Sequence, residues 1–171
     1  MAQKHRACNA QTGMLSQDVH RKETVMPQGN DKDLYFVAVK LLLRDGDKLL
    51  ITHDIFGSWD IPGGRIRANE FDKSLESVIE RKIGEELGSE VKYELGKPAI
   101  FFRVEREEHS LKGQKVRIFA IGYEAKYLAG KVALGDHHDR MEWVDIKSFD
   151  PEAYFAGGWL NGVKEYLGKA R

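Results

Sequence analysis

The chain has 171 residues, with 27 basic and 27 acidic side chains and a formal net charge of zero. Because a neutral chain has no overall field that attracts polyanions, we expect neither nucleic acid nor a membrane as a partner. The single cysteine, Cys8, excludes an internal disulfide, and no run of about 18 apolar residues could cross a bilayer. The N-terminus also lacks the apolar core of a secretory signal. We therefore expect a cytoplasmic protein.

Residues 1–32 are rich in Gln, Lys, Asp and Asn, and their few apolar residues follow neither a helical nor a strand period. Such a segment cannot bury enough apolar surface to offset the entropy lost on ordering, so we predict a disordered tail. The composition changes at Asp33. From there the length suits a single domain, which we place at residues 33–171.

The first predicted elements of this domain form a hairpin. Tyr35 to Leu43 is a dense run of aliphatic and aromatic residues, and Asp45-Gly46 is a turn signal. A second apolar run, Lys48 to Thr52, follows the turn. The next segment, Gly57 to Arg67, is rich in glycine and holds Pro62, which predicts a loop.

A helix is predicted after this loop. Phe71 to Leu87 contains no proline and has apolar residues at helical spacing, and Gly88 stands where a helix would end. The remaining predicted elements are strands over Ala99 to Val104, Val116 to Tyr123 and Met141 to Val144, and a helix over Trp159 to Leu167. This order of strands and helices indicates an α+β layered domain with a mixed sheet.

The predicted helix places the carboxylate of Glu86 on its apolar, inward-facing stripe. A buried carboxylate is costly unless it is paired or bound to a metal, and Glu85 beside it favours a divalent cation. Two alternatives stay open. Glu86 could form a salt bridge with Lys82, one turn earlier, or could be solvated at the helix end.

The loop before the helix supports a site for an anion. Gly63 and Gly64 allow close approach of the backbone, and Arg65 and Arg67 carry donors suited to phosphate oxygens. Glycine, arginine and carboxylate together indicate a magnesium-diphosphate site. A Gly-Gly pair alone is more often an ordinary turn.

The spacing of these residues resembles the Nudix box, G-x5-E-x7-R-E-U-x-E-E-x-G-U, in which U is a bulky aliphatic residue. Gly64 to Glu70 has the spacing G-x5-E, and Arg81 to Gly88 reads R-x-U-x-E-E-x-G. The resemblance implies a Nudix-like α/β/α sandwich with a mixed sheet and a loop-helix-loop metal site. It also implies a Mg²⁺-dependent hydrolase of a nucleoside diphosphate linked to another moiety, with Mn²⁺ as a substitute.

The sequence departs from the box at two points. Ten residues, Phe71 to Glu80, separate Glu70 from Arg81 where the pattern has seven. Lys82 stands where the pattern has a glutamate. Since an ammonium in place of a carboxylate makes the site more positive, one magnesium ion is favoured over two or three.

A subgroup of the family shares the second departure. Gly63 to Ile66, Glu80-Arg81 and Glu86 to Gly88 resemble the GDP-mannose mannosyl hydrolases, which also lack that glutamate and displace the nucleoside diphosphate from a sugar carbon. Their general base is a histidine in a Q-H-x4-W pattern, and here His137-His138 precedes Trp143. A histidine with a pKa near its usual value of about 6.5 can accept a proton at neutral pH. A pair of loop histidines by itself is more often only solvated.

The resemblances assign a role to each candidate residue. The implied catalytic residues are His138 and Arg81. The implied metal ligands are Glu86, Glu85, Gly63 through its carbonyl, and His137, although histidine is a poorer magnesium ligand than an oxygen donor. The implied substrate-binding residues are Arg65, Arg67, Glu70, Gly64 and Lys82.

Two functions remain in competition. The first is a hydrolase of a small-molecule nucleotide, with a nucleotide sugar as one candidate and water attacking either phosphorus or carbon. Lys82 and His138 favour carbon. The second is a degenerate Nudix domain that binds a nucleotide without turnover, and the replacement of the glutamate by Lys82 is consistent with this function too. A homodimer is left open.

Overall fold

The computed structural model describes residues 32–108 and 112–170. The predicted tail, apart from residue 32, lies outside these ranges. The described strands are β1 Phe36–Asp45, β2 Lys48–Asp54, β3 Trp59–Asp60, β4 Gly63–Arg65, β5 Lys92–Glu108, β6 Gln114–Ala129 and β7 His138–Asp145. The described helices are α1 Leu75–Glu86 and α2 Gly157–Ala170, with short 3-10 helices at Ala68–Glu70 and Pro151–Ala153. Within these ranges, no helix is long and apolar enough to span a membrane.

The described strands form one mixed sheet, which confirms the predicted fold class. Its main order is β3-β2-β1-β6-β5, and β1 runs parallel to β6. The other pairings are antiparallel: β2 with β1, β3 and β7, β4 with β1, and β5 with β6. The central strand β1 therefore has β6 on one side and both β2 and β4 on the other.

The two α-helices cover opposite faces of this sheet. Successive side chains of a strand point to opposite faces, so β1 contributes to two apolar layers. Ala38 and Leu42 belong to the layer with α2, whereas Val39, Leu41 and Leu43 belong to the layer with α1. The buried helix residues in these layers are Val163, Tyr166 and Leu167 from α2, and Val78, Ile79 and Ile83 from α1. The result is the predicted α/β/α sandwich.

Helix α1 begins at Leu75, four residues later than predicted. Ser74 caps it by accepting a hydrogen bond from the Ser77 backbone N–H at 3.2 Å, which satisfies a donor that the first turn leaves free. The residues added to the box pattern therefore include a loop, Phe71 to Ser74, ahead of the helix. At the other end Gly88 has φ +89°, a conformation that suits glycine after a helix.

The predicted loop at 57–67 contains two short strands, β3 and β4, which the sequence did not indicate. Both form because they pair with β2 and β1 respectively. Gly63 lies opposite Lys40 of β1 and has φ +133°, and a Cβ there would be 2.2 Å from the Val39 carbonyl oxygen. At Gly64, by contrast, a Cβ would meet the Lys82 side chain, 2.2 Å from Cε. At Gly63 a side chain is thus excluded by fixed backbone atoms, whereas at Gly64 it would meet only the flexible end of Lys82.

We expect Gly63→Ala to destabilise the domain by about 2 kcal/mol or more, because strained backbone and a clash with the Val39 carbonyl cannot be relieved locally. Gly64→Ala should cost less than about 1 kcal/mol, since the end of Lys82 can rotate away. Urea unfolding of both variants measures the difference. Equal losses would show that the two glycines have the same structural role.

Candidate active site

The glycine loop and the end of α1 are joined by one hydrogen bond. The Gly63 backbone N–H donates to Glu86 Oε2 at 2.8 Å. The Glu86 side chain is only 12 % exposed, as expected for a carboxylate on the inward-facing stripe of the helix. The sequence therefore anticipated where Glu86 lies, and the structure adds the backbone donor that it meets.

Lys82 lies over the same carboxylate. Its ammonium is 3.1 Å from Glu86 Oε1 and 3.3 Å from Glu85 Oε2. Its aliphatic stem crosses Gly64, which leaves room because it has no Cβ. The salt bridge between Glu86 and Lys82, one of the alternatives left open by the sequence, is thus present.

A second network holds the loop to the middle of the helix. Glu70 is 3 % exposed and accepts two parallel bonds from Arg81, at 2.5 Å from Nε and 2.7 Å from Nη2. It also accepts the Arg67 backbone N–H at 2.8 Å. Arg81 reaches Glu85 Oε2 at 3.0 Å as well. The longer spacing between Glu70 and Arg81 therefore does not separate them, and both serve to position the loop.

These contacts keep the carboxylates ionised. The hydrogen bonds from Arg81 and from the Arg67 backbone lower the pKa of Glu70 to about 2, well below its usual value. For Glu85, burial opposes ionisation, but the hydrogen bond from Arg81 and the charges of Lys82 and Arg81 outweigh it and lower the pKa. Glu70 and Glu85 are thus anions at neutral pH.

Lys40 is a site residue that the sequence analysis missed. This lysine is 4 % exposed, and its ammonium donates to Asp60 Oδ2 at 2.8 Å, to the Ile61 carbonyl at 3.0 Å and to the Gly63 carbonyl at 3.4 Å. It also lies 4.7 Å from the centroid of the Trp159 ring. A single lysine within the apolar run of β1 was the available signal. Lys40 fixes the backbone immediately before and at the glycine pair.

Asp60, the carboxylate partner of Lys40, is half-buried, with 21 % of its side chain exposed. Burial raises the pKa of Asp60, and the opposing attraction of Lys40 only partly offsets that effect. Glu86 adds a smaller repulsion in the same direction, so the two carboxylates influence each other electrostatically. The positive charge of Lys40 is therefore needed beside this pair of acids.

The two predicted histidines lie in a segment that is tied to the end of α1. The backbone N–H of His138 donates to the Gly135 carbonyl at 3.0 Å, and the backbone N–H of Gly135 donates to the Glu86 carbonyl at 3.0 Å. His138 Nδ1 is buried and has no hydrogen-bond partner among the described residues. The His137 side chain is exposed. The described contacts connect this segment to Glu86 through the backbone.

A third histidine, His53, forms a network that no spacing in the sequence indicates. Its Nδ1 lies 2.6 Å from Asp139 Oδ1, and Arg140 Nη2 lies 3.2 Å from its Nε2. Since Arg140 can only donate, we assign the proton of the neutral ring to Nδ1, facing Asp139. The hydrogen bond with His53 lowers the pKa of Asp139. His53 also packs edge-on against Trp59, with the ring centroids 5.1 Å apart.

A cavity of about 330 Å³ opens beside Lys82. Its lining residues are Phe36, Arg65, Ile66, Arg67, Arg81 and Lys82. Four of these six carry a positive charge, which suits phosphate oxygens. The Arg65 guanidinium lies 5.2 Å from the centroid of the Phe36 ring. Three of the predicted substrate-binding residues, Arg65, Arg67 and Lys82, are therefore brought together.

The donors around Glu86 fit one hard divalent cation. The carboxylates of Glu85 and Glu86 are oxygen donors of the kind that magnesium prefers, and the ammonium of Lys82 already places a cation between them. The Gly63 carbonyl, the predicted third ligand, accepts a hydrogen bond from Lys40 at 3.4 Å. No group of three or more His, Cys, Asp or Glu side chains in the described ranges is placed to hold a metal. A bound cation would thus also need oxygens from the backbone, water or substrate.

Many solved structures share this architecture. A MutT protein from Methanosarcina mazei Go1 aligns with a TM-score of 0.61 at 21% sequence identity, covering 80% of this chain and 92% of that one. The chain has the Nudix hydrolase fold. An ADP-ribose pyrophosphatase from Streptococcus suis 89-1591 aligns with a TM-score of 0.57 at 14% identity, covering 81% and 93% of the two chains. A UDP-X diphosphatase aligns with a TM-score of 0.54 at 15% identity, covering 85% and 68%.

At these identities the comparisons establish the Nudix fold alone. No protein-family model matches the sequence, and comparison with curated proteins gives no significant match. The resemblance to the GDP-mannose mannosyl hydrolases accordingly stays a prediction from the sequence. The roles of individual residues rest on the geometry of the site.

The depressed pKa of Glu70 predicts an acid-sensitive contribution to stability. Because the pKa is lowered on folding, this contribution is complete above the unfolded value of 4.5 and is lost as the pH falls towards about 2. Urea unfolding of the wild type and of Glu70→Gln should therefore differ most above pH 5 and converge near pH 2. A difference that is independent of pH would contradict the role of the Arg81 pair.

Proposed function

We propose that the protein is a Mg²⁺-dependent hydrolase that acts on a nucleoside diphosphate linked to another moiety. The observation that carries this proposal is the bond from the Gly63 N–H to Glu86, which joins the glycine loop to the acidic helix end beside a cationic cavity. The Nudix fold supports the same class, since structures with this fold include proteins named ADP-ribose pyrophosphatase and UDP-X diphosphatase. Both names refer to substrates that contain a diphosphate.

The charged residues divide into two groups under this proposal. Glu86, with Glu85 and the Gly63 carbonyl, would hold the cation, and His137 would supply a further ligand. A bound magnesium ion would offset negative charge on the diphosphate. Arg65 and Arg67 line the cavity and would bind the phosphate oxygens through charge-assisted hydrogen bonds. Mn²⁺ should replace Mg²⁺ because it accepts similar oxygen ligands.

For the chemical step we propose attack on carbon, with a nucleotide sugar as substrate. A water oxygen bonds to the sugar carbon, His138 accepts the proton that this water loses, and the bond between that carbon and the diphosphate oxygen breaks. The nucleoside diphosphate leaves with the bonding electrons. One feature supports this variant: Lys82 stands where the Nudix pattern has a carboxylate, beside the proposed cation site. The assignment of the base to His138 rests on the resemblance of His137-His138 and Trp143 to the Q-H-x4-W pattern.

The second candidate is a nucleotide-binding module without turnover. The salt bridge between Lys82 and Glu86 favours this alternative, because it occupies the carboxylate that would hold the cation.

Under either proposal the partner is a small-molecule nucleotide and the protein is cytoplasmic, with a homodimer left open.

We expect Glu86→Gln to lower turnover by at least about 100-fold while the domain still folds, since it removes the main anionic ligand. Turnover is measured by screening nucleotide sugars and dinucleotides with Mg²⁺ for phosphate-containing products. Glu76→Gln, an exposed change in the first turn of the same helix, is the control and should retain activity. Full activity of Glu86→Gln would remove Glu86 from the site, and no turnover of any substrate by the wild type would favour the binding module.

Hydrolysis of an active nucleotide sugar in ¹⁸O-labelled water distinguishes the two points of attack. Attack on carbon places the label in the released sugar, and His138→Gln should lower turnover by roughly 10²- to 10⁴-fold, the usual contribution of a general base. Mass spectrometry of both products gives the position of the label. Label in a phosphate-containing product would refute attack on carbon and would direct the search for the base to Glu85.

A further inference from the structure

Lys82 occupies a defined position between two carboxylates. Its ammonium lies 3.1 Å from Glu86 Oε1 and 3.3 Å from Glu85 Oε2, and its side chain is only 19 % exposed. Its stem fills the space that the missing Cβ of Gly64 leaves, because an added Cβ would lie 2.2 Å from Lys82 Cε. These contacts make Lys82 a counter-ion seated in the glycine loop.

The same lysine also lines the cationic cavity. Of the other charged lining residues, Arg67 pairs with Glu85 at 3.0 Å and Arg81 pairs with both Glu70 and Glu85. Lys82 therefore stands at the boundary between the acidic helix end and the cavity that suits phosphate. Either side offers the ammonium an anionic partner, provided that a phosphate is bound in the cavity.

We propose that Lys82 occupies the cation position of the free protein and transfers to the diphosphate when a divalent cation binds at Glu86. This proposal rests on the proposed function, since it concerns the same site. Lys82 then acts as a positioning residue that couples the binding of the cation to the binding of the nucleotide.

Electrostatics gives the reason for the exchange. A divalent ion on Glu86 would repel an ammonium held 3.1 Å from that carboxylate, so the two cations compete for the same oxygen. A lysine can respond because its charge is carried on a long flexible stem. Once displaced, the ammonium is available to the phosphate oxygens. By linkage, the cation and the nucleotide each strengthen the binding of the other through this residue.

Direct binding measurements test this role without relying on turnover. We would titrate Mn²⁺, followed by electron paramagnetic resonance, and ADP, followed by calorimetry, into the wild type and Lys82→Met. Methionine keeps the apolar stem over Gly64 and removes the charge. Lys126→Met, which removes an exposed charge on β6, is the matched control and should behave as the wild type.

Lys82→Met should bind Mn²⁺ about two- to fivefold more tightly than the wild type, the range expected for loss of a competing ion pair at a partly exposed site. Its affinity for ADP should fall when Mn²⁺ is present and stay within about threefold of the wild type when it is absent. Unchanged affinity for Mn²⁺ would overturn the proposal. An equal loss of ADP affinity with and without Mn²⁺ would also overturn it, because Lys82 would then be a permanent phosphate ligand.

Gly64→Ala provides an independent test with Lys82 retained. The added Cβ should push the lysine from its seat and so tighten Mn²⁺ binding in the wild type, but it should have no such effect in Lys82→Met. The same increase in Mn²⁺ affinity in both backgrounds would contradict the proposal that the space beside Gly64 holds Lys82 in place.

The proposed function can fail separately from this inference. If no nucleotide substrate is hydrolysed but the predicted Mn²⁺ and ADP affinities are observed, Lys82 has the inferred role in a binding module. If substrates are hydrolysed but neither the wild type nor Lys82→Met binds Mn²⁺, the inferred exchange is refuted and hydrolysis stands.

Discussion

The site depends on the need to neutralise Glu70, a carboxylate that is almost fully buried where the loop meets α1. An unpaired charge there would destabilise the fold, and the two parallel bonds from Arg81 remove that cost. The pair fixes the distance between loop and helix, and through this the Gly63 N–H can reach Glu86. Glu70 and Arg81 therefore help to hold the acidic end of the helix beside the glycines.

Charge balance continues around this pair. Lys40 supports the loop from β1, and Lys82 covers the two helix carboxylates from the other side. Each lysine meets both a carboxylate and the glycine segment, so the site is electrically compensated in the free protein. Under the proposed exchange a divalent cation displaces one of these positive charges, and Lys82, at 19 % exposure, is less buried than Lys40, at 4 %.

This arrangement relates the Nudix fold to a narrower chemistry. The fold places a glycine loop, an acidic helix end and a basic cavity in contact, which suits a diphosphate. The lysine at position 82 reduces the negative charge available to cations, and His138 lies in a segment bonded to the same helix end. The proposed attack on carbon follows from these two features. The hydrogen bond between His53 and Asp139, the residue after His138, forms a separate polar network.

Local signals in the sequence determined the hairpin, both helices, the mixed α+β character and the position of Glu86 on the buried side of α1. These depend on turn residues and apolar periods, which act over a few residues. Only the tertiary structure decided that β3 and β4 form, that Lys40 lies beneath the glycines, and that His53 meets Asp139, 86 residues away. Such contacts join residues that are distant along the chain, and no local period encodes them. The sequence also left open whether Lys82 pairs with Glu86. Helical spacing permits this salt bridge, but the space beside Gly64 that accommodates the lysine side chain is visible only in the tertiary structure.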